Sequence, residues 1–350
     1  MSHSLHGTFV SEKINKIRWR PDEFNNCHFF VTGSVDNVQN NIKLWDFCEN
    51  IEEDDIYPFL VFNEPYCGDV TEIEFLNADY FVTSSSSGSA HLKKIIPSYT
   101  ESTQLKNEVS WSKIHEFKNG DQSPCTSLTT YENDVVTVGE DGTINLLNAK
   151  SPKVVRKIDN ADSCSIHCVI FLKHNEVLTS NLRGQMKIWD LRSTDGKPNS
   201  TFMISGEQVT PTCLTFHPTQ RHLVITGDDL GSLTTWDLRH NTYPVNVLNA
   251  HEGAVSEIKF NPECPDQLFT CSSSGEIWHW TTKAAAVPSL LLDTAEANVW
   301  LAPDNVKNKL DVFTLMPTLG KPINSLDLNR NKVICGCDNE AIYLINGVNL

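Results

Sequence analysis

The chain of 350 residues contains no stretch of 18 consecutive apolar residues, so no segment is built to cross a bilayer as a helix. Met1 to Val10 is polar, carries His3 and His6, and has no apolar core, so a secretory leader is not expected. Basic residues are scarce: 28 Lys and Arg face 44 Asp and Glu, a formal charge of −16. A broad phosphate-binding surface is therefore excluded, although a local basic spot is not, and the charge argues for solubility and protein partners. Catalytic signatures are missing as well. There is no GxxxxGK[ST], no GxSxG, no HExxH and no Gly-rich dinucleotide fingerprint after a strand. The eleven cysteines are odd in number and follow no framework, which reads as reduced thiols in a cytosolic or nuclear compartment. In that setting the sequon Asn199-Ser200-Thr201 goes unused. Cys335 with Cys337, and Cys164 with Cys168, lack a second pair at zinc-finger spacing and fall on expected strands. The twelve histidines are dispersed. No catalytic residue, metal ligand, cofactor or small-molecule substrate is assigned, and the chain reads as a non-enzyme.

What the chain does have is an internal repeat. Its clearest copy runs Thr212 to Pro218, Leu223 to Gly227, and Leu233-Thr234-Thr235-Trp236-Asp237; the next runs Val255 to Pro262, Leu268 to Cys271, and Glu276 to Trp280. Others begin at Ile14, Thr126 and Ile166, and two degenerate copies begin at Val70 and Ile323. Aligned third strands place Trp45, Lys93, Leu147, Trp189, Trp236, Trp280 and Leu344 in one position, at a spacing near the ~40–45 residues of a WD40 blade. A single twisted blade cannot bury both faces, so seven copies predict a ring. Thr8 to Ser11 reads as the outer strand of the seventh blade, because the last copy ends too soon to supply its own. The expected fold is all-β, a seven-bladed WD40 β-propeller closed by an N-terminal strand in the last blade. It forms one domain over residues 1–350, with an insertion at about 282–310 between strands of the sixth blade, whose outer strand is placed at Asp311 to Met316.

The buried Asp, His, Ser/Thr and Trp relay of such repeats is incomplete in every copy. The third has Asp141 but Leu147 in the Trp position; the sixth has His251 and Trp280 but Ser274 where the Asp belongs. Glu49 to Asp55, with five acidic residues, reads as a solvated loop. The repeat tryptophans belong to the core by position. Trp111 and Trp300 lie off the repeat and are contact candidates. The insertion, with Leu290-Leu291-Leu292 and Val299-Trp300-Leu301, is either a contact surface or a loop folded back on the rim. Arg18, Trp111, Leu291 and Trp300 are taken as partner-facing; the alternative for Arg18 and Trp19 is packing at the closure seam, and for Trp19 it is the better reading. Trp189-Asp190-Leu191-Arg192 and Trp236-Asp237-Leu238-Arg239 match the WDxR ending of cullin-4 ubiquitin ligase substrate receptors, which is the alternative function. That ending is frequent in other propellers, where the Arg packs or pairs at the blade bottom.

Several stretches outside the blade endings are more specific. They are Phe9 to Ile14 leading to Arg18-Trp19-Arg20-Pro21, Val136 to Gly142 followed by Ile158-Asp159-Asn160-Ala161-Asp162-Ser163, and Asn339 to Tyr343. Together they resemble the family of the 43-kDa nucleoporin, WD40-repeat subunits of the Y-shaped outer-ring complex of the nuclear pore. The resemblance spans nearly the whole chain and is poorest in the second blade and the insertion. It implies a structural subunit at the nuclear envelope, docked on a helical scaffold nucleoporin and supporting pore assembly, mRNA export and protein transport. The acidic charge and the lack of a long apolar run add the expectation of no direct nucleic acid contact and no membrane insertion. For some animal members the resemblance adds a mitotic location at kinetochores, left open here.

Overall fold

The computed structural model describes residues 3–21, 28–50, 55–97, 103–204, 209–240, 243–282, 299–301 and 310–348. Among them the strands form seven antiparallel sheets of four strands each. Blades one to six are made of consecutive strands, and the seventh takes its outer strand, Ser4–Phe9, from the N-terminal end. Strand Ser4–Phe9 pairs with Ala341–Asn346 and closes the ring, but it starts earlier than the expected Thr8 to Ser11: only Thr8 and Phe9 belong to it, and Ser11 bends away with a φ of 60°.

Each inner strand follows one local rule. Strands Ile14–Trp19, Val70–Phe75, Cys125–Tyr131, Ile166–Lys173, Pro211–Phe216, Val255–Phe260 and Ile323–Asn329 all carry a register shift after their first residue. Such a bulge re-aims one side chain. Here the bulged residue is polar in every blade, and in four of them it bonds the first carbonyl of the next inner strand. Asn15 donates to Val70, Thr126 to Ile166, Thr212 to Val255, and Asn324 to Ile14. The last of these crosses the closure seam. At the same seam a Cβ on Gly336 would lie 2.3 Å from the Ile14 side chain, so only glycine admits this approach.

Apolar side chains fill the gaps between blades. Between blades seven and one, Ile334, Ile342 and Leu344 pack with Ile14, Ile17, Trp19, Phe30 and Trp45. The packing corrects one assignment. The residue equivalent to Trp45 and Trp280 pairs with the second strand two positions before its central Thr, as Trp280 pairs with Leu268 ahead of Thr270. In blade seven that residue is Ile345, opposite Val333, and not Leu344. Ile345 faces blade six alongside Phe269 and Ile277, whereas Leu344 faces blade one. A slip of one residue exchanges the two faces of a strand.

The stretch Glu49 to Asp55 is less of a loop than its acidity suggests. Third strand Asn40–Asn50 and outer strand Asp55–Tyr66 form one long hairpin, leaving 51–54 outside the described residues. Pro58 is accommodated because this is an edge strand. Strand Asp311–Thr314 pairs with Ile277–Thr281, so the insertion joins the third and outer strands of blade six.

Candidate functional site

The inner strands surround a channel holding a cavity of about 400 Å³. Its wall is polarised. Blades six, seven, one and two contribute Glu257, Lys259, Asp327, Lys16, Arg18, Glu72 and Glu74 at alternate positions of their strands. The same positions in blades three to five are neutral: Ser127, Thr129, Cys168, Ile170, Cys213 and Thr215.

Arg18 is central to the charged half and only 5% exposed. Its guanidinium donates to both oxygens of Glu257, at 2.5 and 3.1 Å, to Glu72 at 2.7 Å, and to the Ser325 hydroxyl at 2.9 Å. Its Nε donates to the Ile73 carbonyl and Nη1 also to that of Ile17. Lys16 pairs with Glu72 at 3.1 Å, and Lys259 lies 3.6 Å from Glu257. Burial would push the Glu257 carboxyl up, but Arg18, Lys16 and Lys259 together hold it well below the usual carboxylate range. Glu74 is different: burial, with Glu72 beside it, pushes its carboxyl up to about 7, and its Oε2 has no hydrogen-bond partner. The charges chiefly answer one another, which makes the channel wall a structural element. Among the described residues no group of three or more His, Cys, Asp or Glu side chains could hold a metal ion.

Two buried relays support the blades. In the third, His115 Nδ1 lies 2.9 Å from Asp141 and Nε2 lies 3.0 Å from Thr137, and Leu147 ends the chain without an indole. In the sixth, the Trp280 indole donates to Thr270, which lies 2.8 Å from His251 Nε2; Nδ1 meets Glu276 at 3.3 Å. Glu276 supplies the carboxylate that Ser274 cannot, so this relay is complete. The Glu276 carboxylate can only accept, so His251 Nδ1 carries the proton toward it, and Nε2 accepts from the Thr270 hydroxyl, whose oxygen in turn accepts from Trp280. In blade two Lys93 occupies the aromatic position, and Tyr66 of blade one reaches Thr83 in place of an indole, at 3.1 Å.

The partner-facing candidates are placed as follows. Trp111 lies on outer strand Gln104–Trp111, is 1% exposed, and donates its indole N–H to the Ser151 carbonyl of blade three. Trp300, also 1% exposed, sits on the short turn Val299–Leu301 and packs edge-on to Phe260 in the core between blades five and six. Arg18 lines the channel. These three are corrected: their side chains are used up inside the propeller and present no surface. The fold-back reading of the insertion holds at Trp300. Leu291 lies outside the described residues. Trp19 packs at the seam, as expected. Arg192 and Arg239 each fork onto the aspartate of their own motif, with closest contacts of 2.8 Å. The WDxR endings are therefore internally paired.

Exposed apolar side chains lie elsewhere. Tyr57, Phe59 and Leu60 are exposed on the long outer strand of blade one, and Phe9 on the exchanged strand. The signal for the first three was the alternation in Tyr57-Pro58-Phe59, masked by its acidic neighbours.

No family model matches the chain. Curated relatives do. Human Nucleoporin Nup43 is 35% identical over 97% of this chain and 98% of its own length, and the mouse protein is 34% identical over the same shares. The nuclear pore complex protein nup43 of Dictyostelium discoideum is 26% identical over 61% of this chain and 51% of its own. With this chain and both mammalian proteins covered almost end to end at more than 30% identity, the chain belongs to the Nup43 family of nucleoporins.

Proposed function

We propose that this propeller is a non-enzymatic scaffold subunit of the nuclear pore outer ring, located at the nuclear envelope. It docks on a helical nucleoporin of the Y-shaped complex and so supports pore assembly, mRNA export and protein transport. The observation that carries this reading is the end-to-end match to human and mouse Nup43. A channel wall whose charges are mostly spent on one another agrees with a role exerted through the outer surface. Leu291 in the insertion, and the exposed Tyr57, Phe59 and Leu60, are the side chains proposed to meet the partner. The whole chain, residues 1–350, is proposed to act as one unit, a reading supported by Trp300 of the insertion packing into the core between blades five and six.

The test is an affinity capture of the tagged full chain from nuclear-envelope extract, followed by mass spectrometry. Large helical outer-ring nucleoporins at near-equal amounts are the expected result. Recovery of a cullin adaptor without nucleoporins, lost on replacing Arg192 and Arg239 by Ala, would instead establish the ubiquitin-ligase receptor.

A further inference from the structure

The strand that closes the ring is poorly anchored. Every described side chain of Ser4–Phe9 is exposed or half-buried, and the strand bonds to a single neighbour. It supplies ladder hydrogen bonds but no buried apolar anchor. A propeller closed only this way would part most easily between blades seven and one.

The charges of the channel are concentrated on the four blades that flank this junction, two on each side. One residue connects them all. Arg18 belongs to blade one, donates to Glu72 and the Ile73 carbonyl of blade two, to Ser325 of blade seven, and across the channel to both oxygens of Glu257 in blade six. Glu257 returns the connection to blade seven by accepting from the Ser325 hydroxyl at 2.7 Å and the Leu326 amide at 3.1 Å. The planar fork suits this: a guanidinium presents five N–H groups in fixed directions, two of them side by side for both oxygens of Glu257, whereas an ammonium has three on a single nitrogen. No equivalent bridge is possible in blades three to five, where the wall is neutral and consecutive strands already close each sheet.

We propose that Arg18 is a channel-side clasp that holds the ring shut at the junction of blades seven and one, independently of the exchanged strand. Opening that junction requires the guanidinium to leave Glu257 and Ser325, which strands a buried carboxylate. The clasp and the exchanged strand act at opposite radii of the same seam, so losing either leaves a hinge and not an open ring.

The test is hydrogen exchange of the full-length chain, read by mass spectrometry, with Arg18→Met, which keeps the stem volume and removes the fork. The expected result is exchange at least about tenfold faster in Ser4–Phe9, Ile14–Trp19 and Ile323–Asn329, with Cys125–Tyr131 and Ile166–Lys173 changed by less than about twofold. An equal rise in every blade would overturn the proposal, because Arg18 would then contribute only to global stability; so would an unchanged seam. Should Arg18→Met fail to fold, Glu257→Gln carries the test. It keeps an acceptor for Ser325 and removes the charge across the channel. Faster exchange confined to the same three strands supports the clasp, and a uniform or absent response refutes it.

Discussion

Replacing Trp300 by Ala separates an internal anchor from a partner contact. The side chain is 1% exposed, meets Phe260 at a ring-centroid distance of 5.8 Å, and belongs to the cluster that includes Leu223, Leu268 and Trp280. Removing a buried Trp costs about 3–5 kcal/mol, because the transfer energy of the ring is lost and the hole closes only in part. Collapse is restricted here: Phe260 pairs with Leu268, and Trp280 lies on a strand paired on both sides. The unfolding entropy of about 2.1 cal/mol/K per residue gives about 0.7 kcal/mol/K for the chain, so the midpoint should fall by about 4–7 °C. The turn is also the only described contact of the insertion between residues 282 and 310, so limited proteolysis within 283–309 should accelerate with the loss of Trp300. Differential scanning calorimetry and timed digestion read the two effects. A variant that melts within about 1 °C of the parent and is cut at the parent rate, yet no longer captures nucleoporins, would refute the anchor and restore Trp300 as a partner contact.

Trp111→Ala should likewise destabilise by about 3–5 kcal/mol in denaturant melts, with capture of partners unchanged under conditions where the variant is folded. Trp280→Phe should cost about 1 kcal/mol more than Trp236→Phe, since Trp280 donates to Thr270 and the Trp236 indole has no hydrogen-bond partner; equal losses would show the relay bond to be worth nothing. Glu276→Ala should destabilise blade six by about 1–2 kcal/mol, and Ser274→Ala by much less, if Glu276 is the relay carboxylate. Glu74 is protonated in the folded chain up to about pH 7 but loses its proton near 4.5 when unfolded, so the native state binds more protons in between and stability falls as pH rises through that window. Glu74→Gln should therefore flatten the pH dependence between 4.5 and 7 by up to about 3 kcal/mol in paired chemical melts, and an unchanged slope would refute the assignment.

The blades were legible because each inner strand alternates and ends in an aromatic or turn signal, and because Trp45, Trp189, Trp236 and Trp280 mark third strands without ambiguity. Blade seven was legible in outline only. In Ala341-Ile342-Tyr343-Leu344-Ile345 neighbouring residues are apolar on both faces, since the strand is sandwiched between blades, and without alternation nothing fixes the register. The relay of blade six was missed for a similar reason: Glu276 reaches back from two residues beyond the expected position, a matter of side-chain length that spacing does not encode. Off-repeat tryptophans were read as exposed because they matched no blade position. Burial is a property of the packed ring, and an outer strand or an insertion can turn a side chain inward as readily as outward.

Arg18 shows where the boundary lies. Its alternation with Lys16 on one side and Ile17 and Trp19 on the other places it on the channel face by period alone. The same period places Glu72 and Glu74, Glu257 and Lys259, and Asp327. A list of inward charges is thus readable from the strands, and their near-balance of sign already argues for internal pairing. What cannot be read is the partner. Arg18 and Glu257 stand 239 residues apart and on blades that are not neighbours, and they meet only because the ring closes. The pairing is a consequence of closure, and in the folded chain it becomes one of its causes. Opening the ring gives up the Glu257 and Ser325 bonds of Arg18, which weighs against the open form. The seam therefore depends on a residue that the sequence offered first as a partner contact and only second as seam packing.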